Sequence, residues 1–241
     1  MPPIAVGLPE PSRVEEIDTS SGPARASFFA PVRGLPRASL VLGHGAGRGI
    51  DSPDLITLAA ALPAEGIEVV LVEQPWLVAG RKIADGKAKL DNSWVQVISD
   101  LRRSGVGLRS LTLGGRSAGA RVACRTVGTL QPDAVLCLAF PLLEPREGKS
   151  RAEELAAAAA LVPVTVIQGA HDAYGEPADV ATSVAELGQR ALTISVPFCD
   201  HQFSMSHRAL ITDSEARLIL AGAARLSVLQ RRRNAGPLLM R

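Results

Sequence analysis

Residues 110–128 read SLTLGGRSAGARVACRTVG: an apolar run of strand type, then Gly115-Arg116-Ser117-Ala118-Gly119, then apolar residues at helical spacing. The order strand, tight turn, helix gives the short motif its meaning. Glycines two residues to either side leave room for a turn so sharp that Ser117 takes a strained backbone and projects from the carboxyl end of a strand. At the start of the next helix the serine has backbone N–H groups and the positive end of a helix dipole beside it, both of which favour an oxyanion. The pattern predicts Ser117 as a nucleophile and the N–H of Ala118 as the first oxyanion donor.

Around this stretch, short apolar runs alternate with helical patterns. ASLVLGH (38–44), IEVVLVEQP (67–75), SLTLGGRS (110–117), AVLCLAF (134–140), VPVTVIQG (162–169) and ALTISVP (191–197) read as six buried strands. Near-continuous apolar runs are what parallel strands covered on both faces show. Segments 54–64, 92–104, 118–129, 151–161 and 177–188 suit helices, and 206–230 closes the chain as one long or two shorter helices. Two modest strands are expected near 13–18 and 25–31, after an extended, proline-containing arm over 1–12. This alternation predicts a single α/β domain over 1–241: a mostly parallel central sheet, helices on both faces, and right-handed crossovers.

A serine hydroxyl is a poor nucleophile at neutral pH and needs a base, which in turn needs an acid to orient it. After the strand VTVIQG comes Ala170-His171-Asp172, and after the next strand comes Cys199-Asp200-His201. The chain order is Ser117, Asp172, His201, and both partners lie just beyond strand carboxyl ends, where open α/β sheets place ligands. His201 is the expected general base and Asp172 its orienting acid. Asp200 is a rival, but as the immediate neighbour of His201 it is poorly placed to reach the far ring nitrogen. His171 and His207 read as surface or capping groups. A fourth feature, Gly43-His44-Gly45-Ala46-Gly47, follows another strand and fits neither a dinucleotide fingerprint nor a phosphate loop. It is expected to supply the second oxyanion donor, first Ala46 N–H with Gly45 and Gly47 close behind, while His44 braces the loop.

The bulk properties set limits. With 26 basic and 24 acidic residues the net charge is +2, and 46% of residues are hydrophobic, a globular composition without a general nucleic-acid signature. The basic run Arg231-Arg232-Arg233 reads as favourable charge at a helix C-terminus, with a partner or nucleic-acid patch as the alternative. Three cysteines without metal spacing fit a reducing, cytoplasmic setting, and neither a targeting segment nor a run of membrane-spanning length is evident. No metal, cofactor, nucleic acid or membrane is expected, and the expected partner is a small-molecule substrate.

With these residues assembled, the chain resembles the dienelactone-hydrolase-related α/β hydrolases, most closely the type of testis-expressed protein 30 and non-specific-lethal-complex subunit 3. The resemblance spans about residues 38–203 and rests on GHGAGRGIDSPDL (43–55), VVLVEQPW (69–76), the Arg81 and Trp94 segment, GGRSAGARVA (114–123), FPLLEP (140–145), QGAHDAYG (168–175) and CDHQF (199–203). It implies the α/β-hydrolase fold, with Ser117, Asp172 and His201 in the triad positions. Dienelactone hydrolases proper use a cysteine nucleophile, so their substrate is not carried over. Only about twenty residues separate Phe140 from Val162, which leaves no room for a large cap domain there. Pocket walls are then sought in 76–93, where Trp76 and Trp94 line an acyl or aromatic site, or else simply pack, and Arg81 or Lys82 meets a carboxylate. The expectation is an esterase-like serine hydrolase with an open site acting on small or medium esters. A scaffold that keeps the fold, and a thioesterase or peptidase with the same triad, are the alternatives.

Overall fold

The computed structural model describes residues 7–144, 148–189, 191–206 and 209–229. Its strands are β1 (Arg13–Thr19), β2 (Gly22–Phe29), β3 (Ala38–Gly43), β4 (Ile67–Glu73), β5 (Leu111–Arg116), β6 (Ala134–Leu138), β7 (Val164–Gly169) and β8 (Leu192–Val196). The helices are α1 (Pro53–Ala61), extended by a 3₁₀ turn over Leu62–Glu65, α2 (Pro75–Val78), α3 (Lys87–Arg103), α4 (Ala118–Leu130), α5 (Ala152–Ala159), α6 (Pro177–Glu186) and α7 (Asp213–Leu229).

Side chains alternate faces along a strand, so a strand apolar at every position must be covered on both sides. In β3, Leu40 and Leu42 enter one apolar cluster and Val41 another; in β4, Val69 and Leu71 divide from Val70 and Val72 in the same way. The first cluster is closed by α1 and α7, the second by α3 and α4, and a third on that same side by α4, α5 and α6. The strand order is β1-β2-β4-β3-β5-β6-β7-β8. β2 is antiparallel to β1 and β4, and the other neighbours are parallel. The chain runs outward from β3 to β4, then returns past β3 to β5. The loops after β3 and β5 therefore diverge, and a crevice opens at their carboxyl ends.

Three local expectations need correction. β8 is not a buried strand: it ends the sheet, and Leu192 is 50% exposed. α3 begins at Lys87, well before residue 92, because Leu90, Trp94, Val97 and Leu101 continue one apolar stripe backward through a polar stretch. The segment 76–93 is therefore partly helix and only partly wall. The last segment is one helix, starting at Asp213. Residues 7–12 precede β1 without regular structure; the rest of the arm, His207 and Arg231–Arg233 lie outside the described residues. Among the described residues no helix is long and apolar enough to cross a membrane.

Candidate active site

At the junction of β5 and α4, Ser117 holds φ 52° and ψ −109°, a conformation rarely adopted by residues other than glycine. Its strain is fixed from three directions. The Ser117 N–H donates to Leu138 O at the end of β6 (2.9 Å), its own carbonyl accepts from Arg121 N–H (3.3 Å), and β3 crowds the turn. A Cβ on Gly119 would stand 2.5 Å from Gly43 O, and one on Gly115 would stand 2.6 Å from the Gly119 carbonyl carbon. Only glycine at both positions lets β3 approach the elbow. Strain at one residue, over-determined by its surroundings, is common where a side chain must be presented.

His201 Nε2 lies 3.1 Å from Ser117 Oγ, and His201 Nδ1 lies 2.8 Å from Asp172 Oδ2. An ionised carboxylate only accepts, so Nδ1 carries the ring proton and Nε2 is left to accept from the serine hydroxyl. Asp172 is buried. Its Oδ2 also accepts from Gln168 Nε2 (2.8 Å), and its Oδ1 from the Tyr174 N–H (2.9 Å). The Tyr174 ring stands edge-on to the imidazole, centroids 4.6 Å apart and planes at 78°. Asp200 is exposed and turned away: its Oδ1 accepts from Gln202 and Ser204 N–H, which shapes the His201 loop. His171 is exposed.

The loop after β3 runs beside the elbow. Buried His44 accepts the Gln74 N–H at Nε2 (3.0 Å), so its Nδ1–H donates to Gly45 O (2.8 Å), and its ring leans on Trp76. Burial lowers the His44 pKa, against backbone bonds to Gly45 and Arg48 and the charge of Asp51, and keeps the ring neutral as this bonding requires. Ala46 and Gly47 follow at the mouth, with Ala118 across from them. The first N–H groups of α4 have no intrahelical acceptors and are free to bind an oxyanion between the two loops.

The pocket candidates separate. Trp76 and Trp94 are 3% and 1% exposed and share with Ala46, Ala118 and Val122 a narrow apolar pocket with about 10 Å³ of free space, the limit for one water. Packing is their visible role. Arg81 is not brought to the site: its Nη1 and Nη2 clamp Asp85 at 2.8 and 2.7 Å on the surface. The open cleft, about 470 Å³, lies on the other side of Ala46 and Ala118 and is lined by Ser117, His201, Tyr174, Pro141 and four arginines.

Sequence reasoning passed over two residues. Gln168, a long polar side chain on the buried strand β7, bonds Phe140 N–H and O and the Gly175 carbonyl as well as Asp172. Arg116, the variable position of the serine motif, is buried and donates to His201 O (2.7 Å) and Gln202 Oε1 (2.8 Å), while its Nε sits 3.3 Å from buried Asp54. Losing one partner of such a buried pair costs about 3–5 kcal/mol. A charged residue on a central strand was the available signal for it.

Three solved structures share this architecture at low identity, which speaks to the fold alone. One is a serine hydrolase without lid from Xanthomonas campestris: 21% identity, 92% of this chain and 98% of that one covered, TM-score 0.69. Another is an alpha-beta serine hydrolase homologue from Coxiella burnetii: 17% identity, 88% and 97% covered, TM-score 0.71. A third is the thermophilic esterase Est2 from Thermogutta terrifontis: 18% identity, 95% and 98% covered, TM-score 0.64. No curated protein matches the chain in sequence. A family model described as alpha/beta hydrolase domain matches residues 36–226, well over half of the 241 residues, and the chain belongs to that family.

Proposed function

We propose that the protein is a serine hydrolase that cleaves small or medium carboxylic esters through an acyl-enzyme. The observation that carries this reading is the relay Ser117–His201–Asp172, closed at 3.1 and 2.8 Å around a strained serine. As Ser117 Oγ attacks the ester carbonyl, its proton passes to His201 Nε2, and the buried Asp172 carboxylate stabilises the imidazolium. The carbonyl oxygen becomes an oxyanion against the N–H groups of Ala118 and Ala46. Each such donor is worth about 3–4 kcal/mol where it has been removed from other enzymes. Collapse expels the alcohol, which takes the proton from His201. Water, deprotonated by the same imidazole, then attacks the acyl carbonyl and releases the acid.

The description of the Xanthomonas campestris neighbour as lidless matches the short β6–α5 connection and open cleft here, and the Thermogutta terrifontis neighbour is an esterase. The finer kinship with the testis-expressed-protein-30 type rests on the linked motifs alone. A fluorophosphonate probe provides the test. The wild type should label and Ser117→Ala should not, while Asp172→Asn should label on the order of 10⁴-fold more slowly. A folded wild type that stays unlabelled removes the proposal.

A further inference from the structure

The cleft beside Ser117 is basic and unevenly neutralised. Arg48, Arg116, Arg121 and Arg151 line it, and no acidic residue does among the described residues. Two of these cations are answered from behind: Arg116 by Asp54, and Arg121 by a two-pronged contact with Glu154 (2.8 and 2.9 Å). Glu154, however, also serves Arg125 at 3.3 Å and Lys87 at 3.7 Å. Burial works to raise its carboxyl pKa, but Arg121, Arg125 and Lys87 hold it below the ordinary value, the signature of one anion shared among cations.

Of the three arginines that are not exposed, Arg151 is the least satisfied. Its side chain is only 16% exposed, yet its contacts are long: Pro141 O at 3.4 Å and Glu144 Oε1 at 4.0 Å. Burial first, and then the like charge of Arg121, pull its pKa down, with Arg125 adding to this and Glu144 and Glu154 opposing it. Arg48 is exposed at the mouth, with no carboxylate in ion-pair range among the described residues. A guanidinium offers five N–H donors in a planar fork that matches a carboxylate. Held largely out of water with weak partners, it gains much from a strong one.

We propose that Arg151, supported by Arg121 and Arg48, binds a carboxylate carried by the substrate, so that the preferred esters are anionic ones such as dicarboxylic half-esters. The assignment rests on the hydrolase reading above. The carboxylate is a spectator: ester and water give the second carboxylate, a proton and the alcohol, and the arginines hold the distal group while Ser117 reacts.

The test compares kcat/KM for mono-p-nitrophenyl glutarate, corrected for spontaneous hydrolysis, with that for its neutral isostere p-nitrophenyl 5-methylhexanoate. The wild type should favour the charged ester at least about tenfold, as expected for a hydrogen-bonded charge pair. Arg151→Gln should remove most of that ratio, Arg151→Lys should keep part of it, and Arg48→Gln should reduce it less. In parallel, glutarate binding to Ser117→Ala is measured by calorimetry, with and without Arg151→Gln, and the melting curve confirms the fold of each variant. Hydrolysis without charge preference, or a preference that Arg151→Gln leaves intact, overturns the carboxylate site and spares the hydrolase. Arg151-dependent glutarate binding with no ester turned over and no fluorophosphonate label keeps the site and overturns the hydrolase. Absence of both binding and turnover overturns both.

Discussion

Ala46 and Ala118 divide the mouth of the crevice into two sides that differ in size and in lining. On one side lies an apolar pocket of about 10 Å³, lined by Trp76 and Trp94 among others; on the other lies a cleft of about 470 Å³ walled by arginines. Both are lined by Ala46 and Ala118, the proposed oxyanion donors, so either side is eligible to take a substrate. The aromatic side has no room, and the charged side has room and two arginines, Arg48 and Arg151, without a close counter-charge among the described residues. Selectivity in this molecule is therefore expected to come from electrostatics on an open face, with the tryptophans serving to hold His44 and the β3 loop in place.

The comparison breaks most forcefully if the narrow side is emptied. Trp76 stacks obliquely on His44 and is 3% exposed, and removing a buried tryptophan costs about 3–5 kcal/mol through lost burial and the cavity left behind. Trp76→Ala should lower Tm accordingly and at the same time raise kcat/KM for longer acyl chains relative to acetate, measured over a p-nitrophenyl ester series. A loss of stability with the chain-length profile unchanged would show that the cavity does not open toward the acyl group.

A smaller effect sharpens the role of His44 as brace. Replacing it by Gln disturbs its bonds to Gln74 and Gly45, worth about 1–3 kcal/mol at neutral pH. The pH dependence is more specific. Burial depresses the folded-state pKa below the ordinary 6.5, so below that pH the unfolded chain binds the proton first. The stability contributed by neutral His44 is whole above about pH 6.5 and is lost as pH falls toward the folded pKa. The wild-type Tm should drop on acidification from pH 7.5, and the drop should be shallower in His44→Gln; equal slopes would remove the assignment.

The strand rhythm and the elbow were legible because their physics is local. Continuous apolar runs state that both faces are covered, and a serine between two glycines after a strand states a tight turn. The position of β8 at the sheet edge was not local information: ALTISVP resembles its buried neighbours, and only the strand order exposes Leu192. The start of α3 was hidden because KAKLDN carries too few apolar residues to show a period until Trp94 is known to continue it. Arg116 and Gln168 escaped because a long polar side chain on a buried strand announces neither its direction nor its partner. The arginine wall was invisible for a related reason: it brings together the β3 loop, the elbow, α4 and the approach to α5, which are widely separated in sequence.

The smallest expected effect tests the side of the crevice on which charge acts. From sequence, Arg81 or Lys82 is the cation expected to meet a carboxylate, yet the two terminal nitrogens of Arg81 are spent on Asp85 at 2.8 and 2.7 Å, at the surface and apart from the cleft walls. An exposed pair of this kind binds little that water does not already provide. Arg81→Ala should therefore leave kcat/KM for both the charged and the neutral ester within about twofold of wild type, inside the scatter usual for a surface change. Set beside Arg151→Gln, it separates two cations of like chemistry by position alone. If Arg81→Ala removed the preference for the charged ester instead, the anion would lie toward α2 and the α3 start, and the division of the mouth into a narrow apolar side and a wide basic one would fail.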